Sequence, residues 1–181
     1  MWARTGGGRC RLPRGQALRA AAALAAAMGV GRFVYTPILP LMHAQAGLPA
    51  GSGADLATAN YLGYLLGALA GILAPALVRS RALLHTCLAV LAVSLAAMPV
   101  TQSTTGWAVL RLVAGAASAL VFVIAVSSLL GRLRDQPSHL TGWAFGGVGA
   151  GIALSGLLVL VLRSLADWRA TWWAAAGLSE D

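Results

Sequence analysis

Apolar runs long enough to cross a bilayer follow one another along this chain, at about residues 17–42, 56–78, 82–100, 107–130 and 140–162. A hydrocarbon core of ~30 Å takes about 20 residues of α-helix. Inside it no water is at hand for exposed peptide groups, so each run must close its own hydrogen bonds as a helix. The connections, such as the Gly/Pro-rich stretch 43–54 and the tight Arg79-Ser-Arg81 turn, are too short to hold a soluble domain. A sixth run at 168–178 starts and stops, because about 11 residues rise only ~17 Å. The sequence therefore predicts an all-α integral membrane bundle over 17–181, five full spans plus a truncated sixth, behind a basic cytoplasmic tail at 1–16. Its 10% of charged residues compares with roughly a quarter in a soluble domain.

Charge then sets orientation. The thirteen basic residues are all arginine, opposed by five acids. Arg4, Arg9, Arg11, Arg14 and Arg19 crowd the N-terminal end, Arg79 and Arg81 the turn after the second run, and Arg132 and Arg134 the loop after the fourth. The opposite side holds Arg163 and Arg169. The positive-inside rule puts the N-terminus in the cytoplasm. The tail followed by Ala25-Ala26-Ala27 also has features of a cleaved leader or a transit peptide, but the apolar run continues to Met42 and reads as a first span. Exclusive use of arginine fits a GC-rich bacterial genome, and hence a multi-pass protein of the bacterial inner membrane.

Several function classes drop out. No basic stretch is interleaved with aromatic residues, so no nucleic-acid partner is expected. Cys10 and Cys87 define neither a disulfide framework nor a metal site. The glycines of 142–156 follow no strand and lack phosphate-loop spacing, so no cofactor is expected. Ala153-Leu-Ser-Gly156 lacks the first glycine of a nucleophile turn, and His43, His85 and His139 lie in or near loops, which argues against an enzyme.

What the spans carry besides grease is more informative. Arg32 lies about 15 Å from the outer end of the first run, too deep to reach the surface easily along its stem. On a helix, Met28, Gly29, Tyr35, Thr36 and Leu39 share its face. Arg111, in the fourth run, shares a face with Gly115 and Ser118, and a membrane-edge position about one turn deep is its alternative. A charge at mid-membrane costs ~2.5–3.5 kcal/mol on insertion scales and usually faces protein or a water-filled cavity. In the second run Gly63, Gly67 and Gly71 fall four apart, a spacing that lets helix backbones approach, and Asn60 and Tyr64 share that face. In the fifth, Gly142, Gly146, Gly149 and Gly156 form one stripe, Gly147 and Gly151 a second. Arg32, Tyr35, Thr36, Asn60, Tyr64 and Arg111 are thus the candidate pathway residues, and Gly63, Gly67, Gly71, Gly115, Gly146 and Gly149 the candidate packing residues. No acid lies deep in a span, so an anionic solute such as a carboxylate would suit both arginines.

Three blocks carry a family resemblance: Gly29-x-Gly-Arg-Phe-x-Tyr-Thr-Pro-x-Leu-Pro40, Ala59-Asn-Tyr-x-Gly-Tyr-Leu-x-Gly-Ala68 and Gly147-Val-Gly-x-Gly-Ile-Ala-Leu-Ser-Gly156. Together they resemble the YbfB/YjiJ-type branch of the major facilitator superfamily, over about residues 20–175. Arg111-x-x-x-Gly115 is similar to the superfamily's fourth-helix motif, whose arginine is linked to proton coupling. The turn after the second span keeps only Arg79 and Arg81 of the superfamily motif there, and the fifth span lacks the Gly-Pro pair of exchangers. The resemblance implies the N-terminal six-helix half of a major facilitator fold, each half built from 3+3 inverted repeats. It implies a secondary active transporter, working by alternating access and open to proton coupling. Its partners would be a small-molecule solute, the lipid bilayer and a missing C-terminal six-helix half. The alternative is a truncated, non-transporting membrane module or assembly partner.

Overall fold

A computed structural model describes residues 12–132, 139–162 and 167–178. Residues 1–11 of the basic tail, the arginine-bearing loop at 133–138, Arg163 and Glu180-Asp181 lie outside the described residues. Within them all regular structure is helical: α1 (Leu12–Leu24), a π-helical turn (Ala25–Val30), α2 (Tyr35–Ala46), α3 (Ala50–Leu73), the short α4 (Pro75–Val78), α5 (Arg81–Ala97), α6 (Thr104–Arg132), α7 (His139–Leu162) and α8 (Trp168–Leu178).

Four stretches are long and apolar enough to cross a membrane: Leu18–Ala46, Gly51–Leu73, Thr104–Leu129 and Phe145–Leu162. The expectation of five full spans is corrected at the third. Here the apolar helix Arg81–Ala97 is shorter, because Pro99 has no N–H to continue the ladder. The chain instead tightens into turns in which Met98 N donates to Leu95 O and Val100 N to Ala97 O. Ser80 fixes the other end, its hydroxyl accepting from Leu83 N as an N-cap does. The second span is cut in the same way: α3 stops at Leu73 and α4 restarts at Pro75, since a residue before proline is pushed away from helical geometry.

The first span is broken in the middle. Gly31 N donates five residues back to Ala26 O, the wide π spacing. Pro37 then offers no N–H to the Phe33 carbonyl four residues earlier. That carbonyl is taken by Thr36 N at 3.2 Å, which leaves the Arg32 carbonyl without its helical donor. Gly31–Val34 form turns between the π-helical stretch and α2.

Around this break the helices pack by small residues. α6 is the centre, most extensively against α3 and next against α5, while α1 and the π turn lie on α7. A Cβ on Gly63 would overlap the Leu112 carbonyl, on Gly67 the Ala116 carbonyl, and on Gly115 the Asn60 carbonyl. The α3 and α6 backbones therefore touch, as small residues allow in lipid. Gly71 sits a little farther off, against the side chain of Val123. On α7 the close approach runs along the second glycine stripe: Gly147 meets Ala21, and Gly151 meets Ala25 and Gly29. Gly146 and Gly149, expected as packing positions, have no described atom within 4 Å of an added Cβ. Among the described residues α7 has a neighbour along one glycine face.

Aromatic residues meet near the starts of α6 and α8. Trp107 donates to Met98 O at 2.9 Å and meets Trp168 edge-on at 5.9 Å. α8 is preceded by Asp167, whose carboxylate accepts from Ala170 N at 2.8 Å, and it packs on α5 and α2. Trp172 is its fully buried anchor. Leu62, Leu65, Leu66, Ile72 and Leu73 of α3, and Leu154, Leu157 and Leu160 of α7, are exposed. Lipid is the solvent such faces fit.

Candidate functional site

The break in the first span creates the site. Arg111 of α6 donates from Nη2 to the Arg32 carbonyl at 3.4 Å, the acceptor that Pro37 leaves open. Arg111 is itself held in register by α3, since Asn60 donates from Nδ2 to the Arg111 carbonyl at 2.8 Å. Gly115, one turn beyond Arg111, lets the Asn60 backbone come close enough for that bond.

Each guanidinium has an aromatic surround. Arg32 Cζ lies 4.1 Å from the Tyr64 ring centroid, 5.1 Å from Tyr61 and 5.7 Å from Phe33. Arg111 Cζ lies 5.0 Å from the Tyr35 centroid and 6.0 Å from that of Trp172. A cation over an aromatic face gains about 0.5–2 kcal/mol, more where water is excluded. Tyr35 is in turn fixed by donating its hydroxyl to Gly53 O at 2.9 Å, which ties the first turn of α3 to the site.

Two cations are gathered here without a counter-charge among the described residues. Arg111 is 1% exposed, yet no ion pair joins it among the described residues. Asp55 and Asp167 are exposed, and Asp167 serves as a helix cap. Arg111 Nε and Nη1, Arg32 Nε and Trp172 Nε1 are buried with no hydrogen-bond partner among the described residues. Burying such donors unpaired costs ~1–3 kcal/mol each, more for a charged group. The arrangement is rich in donors and in positive charge, and it can take an acceptor that carries negative charge.

Of the expected pathway residues, Arg32, Tyr35, Asn60, Tyr64 and Arg111 come together. Thr36 does not: it is exposed, one position from buried Tyr35. Trp172, Tyr61 and Phe33 belong to the cluster and were not expected. Tyr61 and Phe33 directly adjoin expected residues, so the signal was an aromatic neighbour beside each polar position. Trp172 had none, because it sits in the run that falls short of a span. Among the described residues no three His, Cys, Asp or Glu side chains gather to hold a metal ion. An open, mainly apolar groove of about 620 Å³ between α5 and α6, lined by Val100, Thr101, Thr105 and Val109, lies toward the helix ends rather than at the arginines.

The family described as "Uncharacterised MFS-type transporter YbfB" matches residues 24–180. The chain belongs to this family. No curated protein matches it. Membership makes this YbfB-type chain part of a transporter family, and with four membrane-length apolar helices it is a multi-pass membrane protein. A transporter family acts on a small-molecule solute, and the matched region contains the whole arginine–aromatic cluster.

Proposed function

We propose that this chain is the N-terminal six-helix half of a secondary active carrier working by alternating access, with a small organic anion as its solute. Such carriers rock one half against the other around a mid-membrane site. The carrying observation is the pair Arg32 and Arg111, set among aromatic rings with buried, unpaired N–H groups and, among the described residues, no acid beside them. Arginine suits a carboxylate because its planar donors match the two oxygens. Asn60 holds the backbone of Arg111 in register, the Tyr35 ring lies against its guanidinium, and the Tyr64 ring against that of Arg32. Spans at about 17–42, 56–78, 82–100, 107–130 and 140–162, with an incomplete sixth at 168–178, belong to the bundle, the third of them served by the shorter helix Arg81–Ala97. The distribution of arginines supports a cytoplasmic N-terminus in a bacterial inner membrane. Among the described residues no carboxylate lies at mid-span, so a proton shuttle based on an acid falls to the C-terminal half.

The test is uptake of a panel of labelled organic anions by the complete carrier in proteoliposomes. Arg32→Ala and Arg111→Ala should each lower uptake of the transported anion at least about tenfold, the loss expected for a hydrogen-bonded charge pair. Full uptake in both variants would sink the proposal. An uptake rate that follows an imposed pH gradient would establish proton coupling.

A further inference from the structure

Trp172 is the residue of this cluster that the carrier reading leaves without a task. It is fully buried in α8, and its Nε1 has no hydrogen-bond partner among the described residues. A buried indole N–H usually finds an acceptor. Its ring centroid lies 6.0 Å from Arg111 Cζ and 6.5 Å from the Tyr35 centroid. Arg111, 1% exposed, brings two further unpaired nitrogens, Nε and Nη1. These occupy different edges of the guanidinium plane, so an open N–H remains whichever edge is turned toward the indole. Nη2 is already engaged with the Arg32 carbonyl, which fixes the plane.

We infer that Arg111 and Trp172 together form an occluded locus for a monovalent anion, which accepts from the guanidinium and from the indole N–H at once. The charge of Arg111 selects an anion over a neutral acceptor, since no acid neutralises it among the described residues. Unpaired donors on two neighbouring groups suit the two oxygens of a carboxylate, and they also suit a halide, which accepts from any direction. Burial on all sides limits the locus to a single small group: a carboxyl end or a free ion. Trp172 is thereby a specificity-determining residue supplied by the last helix of the bundle. The inference rests on the carrier reading for where the anion comes from, but not for its binding.

The experiment measures the unfolding midpoint of the complete protein in lipid nanodiscs against sodium acetate and, separately, sodium chloride. Ionic strength is held constant with sodium sulfate, and acetamide serves as the uncharged control. Saturable stabilisation is expected from the anion and none from acetamide. A response to acetate and not to chloride names the carboxyl group of a solute as occupant, and the converse names a free halide. Trp172→Phe keeps the ring and removes the N–H, and it should shift the half-saturating concentration about tenfold upward, as loss of a bond to a charged group does. Should that variant fail to fold, Arg111→Lys keeps the charge, loses the planar donors and is expected to show a comparable weakening. Failure of both anions to stabilise the wild type, or a wild-type response in Trp172→Phe, would overturn the inference. Uptake run in parallel separates the two ideas: no transport with intact anion binding removes the carrier reading alone, and normal transport with unaltered binding in Trp172→Phe removes the locus alone.

Discussion

The heads of Arg32 and Arg111 are tethered differently, and substitutions should reveal it. The Arg32 guanidinium lies against the rings of Tyr64 and Tyr61, whereas that of Arg111 also donates a hydrogen bond, to the Arg32 carbonyl, and the Arg111 carbonyl accepts from Asn60. Tyr64→Ala should therefore loosen Arg32 and lower thermal stability by about 1 kcal/mol, the worth of a cation–π contact. Tyr64→Phe, which keeps the ring, should cost less than half of that, as a thermal melt in detergent would show. Asn60→Ala removes the Nδ2 bond to Arg111 and is expected to cost ~1 kcal/mol while also reducing uptake, because the side chain beneath the guanidinium loses its register. A melt unchanged in Asn60→Ala would contradict the tie. These residues were legible from sequence for a simple reason: polar groups inside apolar runs stand out. Thr36 lies outside the cluster: its angular position assumed an unbroken helix, and Gly31–Val34 are turns.

At the scale of elements, the broken first span and the glycine seam lead to separate expectations. Pro37→Ala would return an N–H to the Phe33 carbonyl and free Thr36 N to bond Arg32, closing the acceptor that Arg111 uses. Amide exchange at Thr36 should slow at least roughly tenfold, consistent with a normal helical bond, and uptake should fall. Exchange at the wild-type rate would mean that Pro37 does not set the break. The seam predicts a contrast between glycines. Gly63→Ala forces a methyl into the Leu112 carbonyl and should cost roughly 2 kcal/mol or more, the scale of overpacking. Gly146→Ala meets no described atom and should be neutral or stabilise by up to ~1 kcal/mol through helix propensity. Spacing alone showed that glycines would lie on faces; it did not show which face has a neighbour, since that depends on a partner helix distant in sequence. The fifth span made this plain, with Gly147 and Gly151 packed and Gly146 and Gly149 open.

For the molecule as a whole, hydropathy was a good guide to where helices run and a poorer one to where they stop. Long apolar stretches had to become helices in lipid, and they did. Boundaries were set instead by Pro75 and Pro99, which cut α3 and shortened α5. α8 took part in the core through Trp172 despite its shortness, because burial depends on what a residue faces and not on the length of its helix. The proposed orientation yields a direct check. A cysteine placed at Ser80, in the Arg79–Arg81 turn, should react with an impermeant maleimide from the cytoplasmic side, and one at Ser103, between α5 and α6, from the opposite side. Reaction of both from one side would reverse or refute the topology.

The seam between α3 and α6 also has a mechanical meaning. Backbones in contact at Gly63, Gly67 and Gly115 leave no compressible side-chain layer between them, so that pair can tilt only as one stiff spar. The segment Gly31–Val34 is the opposite: its backbone ladder is interrupted, and one donated hydrogen bond from Arg111 reaches across to the spar. A torque applied to the bundle would then be taken up at that joint, and Arg111, the arginine of the proposed anion site, would also be the pin through which the joint is loaded.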